Sequence, residues 1–317
     1  MTRSERRAAR IALDLLGGDG APAVVVEGAL QALSADPGLR LVPVGPPEIL
    51  DGLVARLDRA LRDRVQPVAV TDGTSPVRRA VELLADGAAD AVVSAGATGA
   101  AVKATVARFG RYPGLSRPAL AVTVPTPCGP LILLDVGASP TPGPTDLVRH
   151  AALGVGYAVA TLGMTAPRVG LLSIGTEPGS GDRLRRAAGT LMAKLTWPFD
   201  ARYIGLVEGY DVPLGGTADV VVTDGFTGNV LLKGMEGMLR RHGALSDGTA
   251  RAAALLGVPA PVVVCHGAAG GADLASGIAL AARLATDGSI EHVSMADAQF
   301  RADPSNEAVT SERRVPS

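Results

Sequence analysis

The sequence predicts an α/β protein with an open, doubly wound, mostly parallel sheet and flanking helices. Three observations predict it. Short runs of Val, Ala and Leu alternate with longer amphipathic stretches, the rhythm of βα units. Hydrophobic residues make up 47% of the chain but aromatic residues only 3%, so the core must be built from small aliphatic side chains. That is the composition of helices stacked on a Val-rich parallel sheet. Third, glycine clusters follow the predicted strands, where tight βα turns are needed. They are Gly17-Gly18-Asp19-Gly20, Gly96-Ala97-Thr98-Gly99, Gly175-Thr176-Glu177 and Gly225-Phe226-Thr227-Gly228-Asn229.

The elements run in order. Residues 10–14 read as the first strand, followed by a glycine turn and a helix over 23–33. Strands at 39–44 and 65–70 flank a helix over 47–61. A helix over 76–84, a strand at 91–94 and a helix over 100–109 follow. The rhythm then changes: 119–124 and 131–135 read as two strands joined by a short Pro/Gly turn, an antiparallel pair. After the loop at 140–144 come a helix to 162, a strand at 169–173 and a helix over 184–195. Strands near 203–207 and 220–223 precede a helix over 230–241, a strand at 262–265 and a helix over 274–285. Residues 1–9 read as a basic extension and 10–300 as one α/β domain with two lobes. The polar stretch 301–317, with Pro304 and Pro316, reads as a disordered tail.

Thirty basic and 31 acidic residues nearly cancel. That balance argues against a nucleic-acid partner, which needs a concentrated basic field. Cys128 and Cys265 show no zinc spacing and read as two buried thiols in a reduced compartment. No apolar run reaches membrane-spanning length, and the N-terminus lacks a signal-peptide core, so a cytoplasmic protein is expected. Only Lys103, Lys194 and Lys233 are lysines.

In an open α/β sheet the ligand crevice lies at the carboxyl ends of the strands. Glycine there lets backbone N–H groups approach an anion, and a following helix N-terminus adds a favourable field. The four clusters therefore point to a phosphate-type ligand, and to a common crevice for Gly17, Gly96, Gly175 and Gly225. None matches a Walker loop, and the first is not a dinucleotide fingerprint.

Many collinear stretches resemble the phosphate acyltransferase family of bacterial phospholipid synthesis. They begin with 11–14, 17–19, Ala21-Pro22 and 93–96 with 98–100, and continue through Gly110-Arg111, 117–120 and 133–138. Later come 167–172, 175–177, 217–220, His266-Gly267 and the longest, 223–230 with Leu232-Lys233. The resemblance spans residues 11–285. It implies a fold similar to phosphotransacetylases and isopropylmalate dehydrogenases, and transfer of a fatty acyl group from acyl carrier protein to inorganic phosphate. It also implies a homodimer, no metal and no cofactor. The chain departs from the family at Ala97, Ser139 and Ser173, where the family carries Asn, and at Gly143, where it carries Lys. The family's longer helical segment after Glu236 is short here, so peripheral contact with the inner face of the membrane is expected to be weak. Two alternatives keep the fold: a diverged acyltransferase of secondary metabolism using another acyl carrier or acceptor, and a non-catalytic relative that binds the acyl carrier.

The chemistry asks for donors to phosphate, donors to an oxyanion and a proton for the leaving thiol. The candidate catalytic residues are Lys233 and Asn229 in the longest matching stretch and His266 at a strand end. Candidate substrate-binding residues are Asp14, Gly17, Gly18, Asp19, Ser94, Gly96, Thr98 and Gly99 in the first half. Gly175, Thr176, Glu177, Asp224, Gly225, Thr227 and Gly228 are the candidates in the second.

Overall fold

The computed structural model describes residues 8–71, 73–241 and 252–310. The chain divides into two compact units: Met1–Gly110 with Arg251–Gly288, and Arg111–Ala250 with Ser289–Ser317.

The first unit opens with β1 (Arg10–Asp14), α1 (Ala23–Ala35), β2 (Arg40–Gly45), α2 (Pro47–Ala55) and α3 (Arg59–Arg62). It continues with β3 (Val68–Ala69), α4 (Pro76–Ala85), β4 (Ala91–Ser94) and α5 (Thr98–Phe109). The second unit then supplies β5 (Ala119–Val124), β6 (Leu131–Leu134), α6 (Pro144–Leu162), β7 (Arg168–Ser173) and α7 (Arg183–Met192). β8 (Arg202–Glu208), α8 (Asp211–Leu214), β9 (Val220–Val222) and α9 (Gly225–Arg241) follow. The chain returns to the first unit for β10 (Ala252–Leu256), β11 (Val262–Cys265) and α10 (Gly271–Thr286). It closes in the second with α11 (Ser289–Ala302) and α12 (Glu307–Thr310).

In the first unit the strand order is β3-β2-β1-β4-β11-β10, parallel except for β10 against β11. The strands are Val-, Ala- and Leu-rich because both faces are covered: Ile11, Leu13, Val92, Val93, Val262 and Val263 are fully buried. Order reverses between β1 and β4, so the turns after these two strands open the switch point of the sheet. In the second unit the order is β5-β6-β9-β7-β8, parallel except for the hairpin of β5 and β6. The predicted antiparallel pair is that hairpin.

Several expectations are corrected. The helix expected over 47–61 is two helices, α2 and the short α3, and the strand expected over 65–70 shrinks to β3. Residues 225–229 are the first turn of α9, not a loop before it. Asp224 accepts the Thr227 N–H at 2.9 Å, the hydrogen bond of an N-cap. Four elements are additional: β10, the short helices α8 and α12, and α11, which packs along α6 through Val293 and Ala296. Residues 301–310, assigned to a tail, are folded: Asn306 is fully buried and bonds the Phe300 and Thr196 carbonyls. Residues 311–317 and 1–7 lie outside the described residues, as does most of the segment after α9 on which the membrane expectation rested. Cys265 is buried, but Cys128 is exposed. Among the described residues no helix is long and apolar enough to cross a membrane.

Candidate functional site

In the first unit, the turns after β1 and β4 meet. A Cβ on Gly17 would come within 2.5 Å of the Gly96 nitrogen, so only glycine lets the two turns touch. Asp14, at the end of β1, is buried and accepts the Ser94 hydroxyl at 2.7 Å and the Leu16 N–H at 3.0 Å. Ser94 in turn accepts the Gly96 N–H at 3.1 Å. Burial pushes the Asp14 carboxyl above its ordinary value, against the pull of these hydrogen bonds. Beyond Gly96 the first turn of α5 has no side-chain cap and no acidic residue. The N–H groups at the start of α5, beside half-buried Thr98 and exposed Gly99, therefore face outward from the switch point with a favourable helix field.

His266 follows β11. Its Nδ1 accepts the Ala268 N–H at 3.3 Å, which places the neutral ring's proton on Nε2. That Nε2 is buried with no partner among the described residues. Asp19 is exposed, and its N–H donates to the Gly267 carbonyl at 2.7 Å, tying the first turn to the His266 loop. Gly18 adopts φ +104°, open only to glycine, beside that same carbonyl. The first unit thus gathers Asp14, Gly17, Gly18, Asp19, Ser94, Gly96, Thr98, Gly99 and His266 around the ends of β1, β4 and β11.

The second unit handles its glycine turns differently. Asp135, fully buried at the end of β6, accepts four backbone N–H groups: those of Leu120, Gly137, Ala138 and Ser139, at 2.6–2.9 Å. Its carboxylate fills the cradle that the loop 136–139 would otherwise offer to a ligand. Gly225 packs on this loop, donating its N–H to the Ser139 carbonyl at 2.9 Å, and a side chain at Gly225 or Gly228 would strike Asp135. Asn229 donates to the Val136 carbonyl at 3.0 Å.

Asp224 is paired with Arg185, whose guanidinium also donates to the Thr223 hydroxyl at 3.0 Å and the Thr227 hydroxyl at 3.2 Å. The Thr227 hydroxyl donates to Asp224 at 2.7 Å, so its proton is committed to the framework. Burial raises the Asp224 carboxyl, but the N–H and hydroxyl of Thr227 and the charge of Arg185 outweigh it and hold it below its ordinary value. Lys233 lies exposed on α9, one turn beyond Asn229 on the same face, with no ion-pair partner among the described residues. Gly175 and the exposed Thr176 and Glu177 sit in the turn after β7. The Glu177 carboxyl is held below its ordinary value by its own N–H and by Ser180.

Sequence reasoning missed Arg185 and Asp135. The first lies in the run Arg183-Leu184-Arg185-Arg186 and reads as a surface arginine. The second stood within a matching stretch, but nothing marked its carboxylate as the centre of a loop. Among the described residues no group of three or more His, Cys, Asp or Glu side chains is placed to hold a metal ion.

Comparison with known proteins places this geometry. The family model described as "Fatty acid synthesis protein" matches residues 9–253. A phosphate acyltransferase of Thermobifida fusca is 39% identical over 87% of this chain and 86% of its own length. One from Desulfitobacterium hafniense is 40% identical over 72% of this chain and 71% of its own. Among solved structures, the chain superposes on EutD phosphotransacetylase from Staphylococcus aureus with a TM-score of 0.63 at 18% identity. That match covers 88% of this chain and 95% of the other. A branched-chain phosphotransacylase from Enterococcus faecalis gives 0.64 at 18% identity, over 87% and 99%. The structural matches show the fold to be that of phosphotransacetylases. With sequence identity sustained over most of both chains, the protein belongs to the phosphate acyltransferase family.

Proposed function

We propose that the protein transfers a fatty acyl group from acyl carrier protein to inorganic phosphate, giving acyl phosphate for phospholipid synthesis. The observation that carries this reading is the kinship with phosphate acyltransferases over 86% of a relative's length. The uncapped, glycine-lined start of α5 supports it, because a first turn with no acidic residue of its own suits a phosphate.

In this reading a phosphate oxygen attacks the thioester carbonyl carbon, a C–O bond forms, and the C–S bond breaks as the tetrahedral intermediate collapses. The leaving thiolate takes a proton, for which His266 Nε2–H is the candidate donor. Lys233 and Asn229 supply positive charge and an amide donor for the developing oxyanion. Asp14, Ser94 and the glycines hold the turns in shape. Acyl carrier protein and phosphate are the substrates, and the protein acts as a cytoplasmic homodimer with weak peripheral membrane contact at most.

Ser173 favours a second reading on the same fold, with another acceptor. Its hydroxyl is buried at the end of β7 without a partner among the described residues, where the family carries Asn. One assay separates the two. Purified protein is given acyl carrier protein thioester and phosphate, and acyl phosphate and free thiol are followed. Release of thiol without acyl phosphate, or no reaction from a folded protein, sinks the first reading.

A further inference from the structure

α9 is anchored at its base. Beyond its first turn, among the described side chains, only Leu232 is buried, while Phe226, Val230, Lys233, Gly234 and Met238 are exposed. The contacts of its first turn set the direction in which the helix leaves β9. One of these is the Arg185 guanidinium, which enters from α7 and is itself only 8% exposed. One arm reaches Thr223, Asp224 and Thr227, the other binds Asp182 at 2.9 Å, and Nε donates to the Leu172 carbonyl at 3.3 Å. Arg185 thus ties the end of β7, the start of α7 and the base of α9 together. Gly181, at φ +88°, passes over it where a Cβ would lie 2.8 Å from the Arg185 Cβ, so the preceding loop is shaped to this side chain.

We propose that Arg185 is a positioning residue of the reaction: its planar fork aims α9 and thereby places Lys233 and Asn229. It touches no reacting atom. A fork is needed because Nη2 meets the base of α9, Nη1 the Asp182 carboxylate and Nε the Leu172 carbonyl at once, and a point charge on a flexible stem cannot reach acceptors on three elements. The inference rests on the role proposed above for Lys233, so its test carries a readout independent of turnover.

The test uses Arg185→Met, Arg185→Lys, Lys233→Met and the double variant, with Arg168→Met as a control. Arg168 makes a similar fork on Asp219 in the same unit, at 2.8 and 3.0 Å, away from α9. Two quantities are measured: the rate of acyl phosphate formation against phosphate concentration, and amide hydrogen exchange along α9. Arg185→Met is expected to lower the rate roughly a hundredfold, and Arg185→Lys to recover little of it. Adding Arg185→Met to Lys233→Met should cost less than about threefold more, since residues that act as a unit are not additive. Exchange should quicken in α9 and stay unchanged in β6 and β9, and Arg168→Met should leave α9 untouched. Multiplicative rate losses, exchange rising throughout the unit, or unchanged exchange in α9 would each overturn the proposal. An inactive wild type whose α9 still depends on Arg185 would overturn the proposed function and the positioning role with it, leaving Arg185 an anchor of α9 alone.

Discussion

The two units start from the same device and finish it in opposite ways. In each, an arginine opening one strand forks onto an aspartate just before the neighbouring parallel strand: Arg10 on Asp90, Arg168 on Asp219. Each unit then gathers polar side chains where the paired strands end. In the first, Asp14 meets only a hydroxyl and N–H groups, its carboxyl is raised, and the adjoining helix α5 is left uncapped. In the second, Asp224 meets a buried guanidinium, its carboxyl is lowered, and it caps α9 itself. An aspartate at a strand end therefore says little by its type. Whether a cation reaches it decides if the turn is left open to an anion or closed as framework.

The largest expected effect tests what the closed unit contributes. Lys233→Met keeps the stem and removes the charge, and should slow acyl phosphate formation by about 10²–10³-fold with folding intact. Lys233→Arg should recover only part of that. Steady-state rates on both variants check it, and an unaffected Lys233→Met would leave the second unit a scaffold.

The next effect is on stability. Asp224→Asn leaves Arg185 buried with one carboxylate fewer and should cost about 3 kcal/mol at neutral pH. Because the folded carboxyl sits below its unfolded value, this contribution is present above the ordinary carboxylate range and lost as pH falls. The deficit of Asp224→Asn should therefore shrink towards acid. Asp14 is raised, so its contribution is full at low pH and lost as pH rises, and Asp14→Asn should close on wild type towards neutrality. Urea midpoints across roughly pH 4 to 7 give both slopes. Two slopes of the same sign would break the comparison.

How much of this could be read from the sequence follows from how local each signal is. Glycine turns after Val-rich strands are local, so the sheet, the hairpin of β5 and β6, and the residues around β1, β4 and β11 were legible. Arg185 was not, because its partners lie about 40 residues away and its neighbours in sequence are other arginines. β10 hid behind Ala252-Ala253-Ala254, a run that suits a helix as well as a strand. α11 hid because its apolar residues are interleaved with Glu291, His292, Ser294, Asp297 and Arg301, although Val293, Ala296 and Phe300 are all buried. The helical start of α9 was missed because Gly225 and Gly228 read as turn residues. Both are glycine because Asp135 lies against them.

The smallest effect separates glycines that hold the fold from those that merely permit it. Gly17→Ala would press a methyl onto the backbone nitrogens of Gly96 and Ala95 and should cost roughly 1–3 kcal/mol. Gly99→Ala meets nothing within 4 Å and should stay within about 0.5 kcal/mol. Thermal unfolding of both variants checks it, and equal costs would show that the turns do not touch as described.

The order in which the chain visits its units has a consequence for how the protein is made. The pairing of β4 with β11 joins Val93 to Val263. Roughly 170 residues separate them, so at 5–20 residues per second the ribosome holds back the partner of β4 for on the order of 10–30 s. Until then the first unit shows an unpaired parallel edge of valines that are fully buried once folding is complete. The nascent chain must carry that edge while the second unit emerges, and the second unit in turn waits for α11 to cover α6. Neither half can be finished before the other has been almost entirely synthesised, which makes this a protein whose yield in the cell should depend on chaperones that shield strand edges during translation.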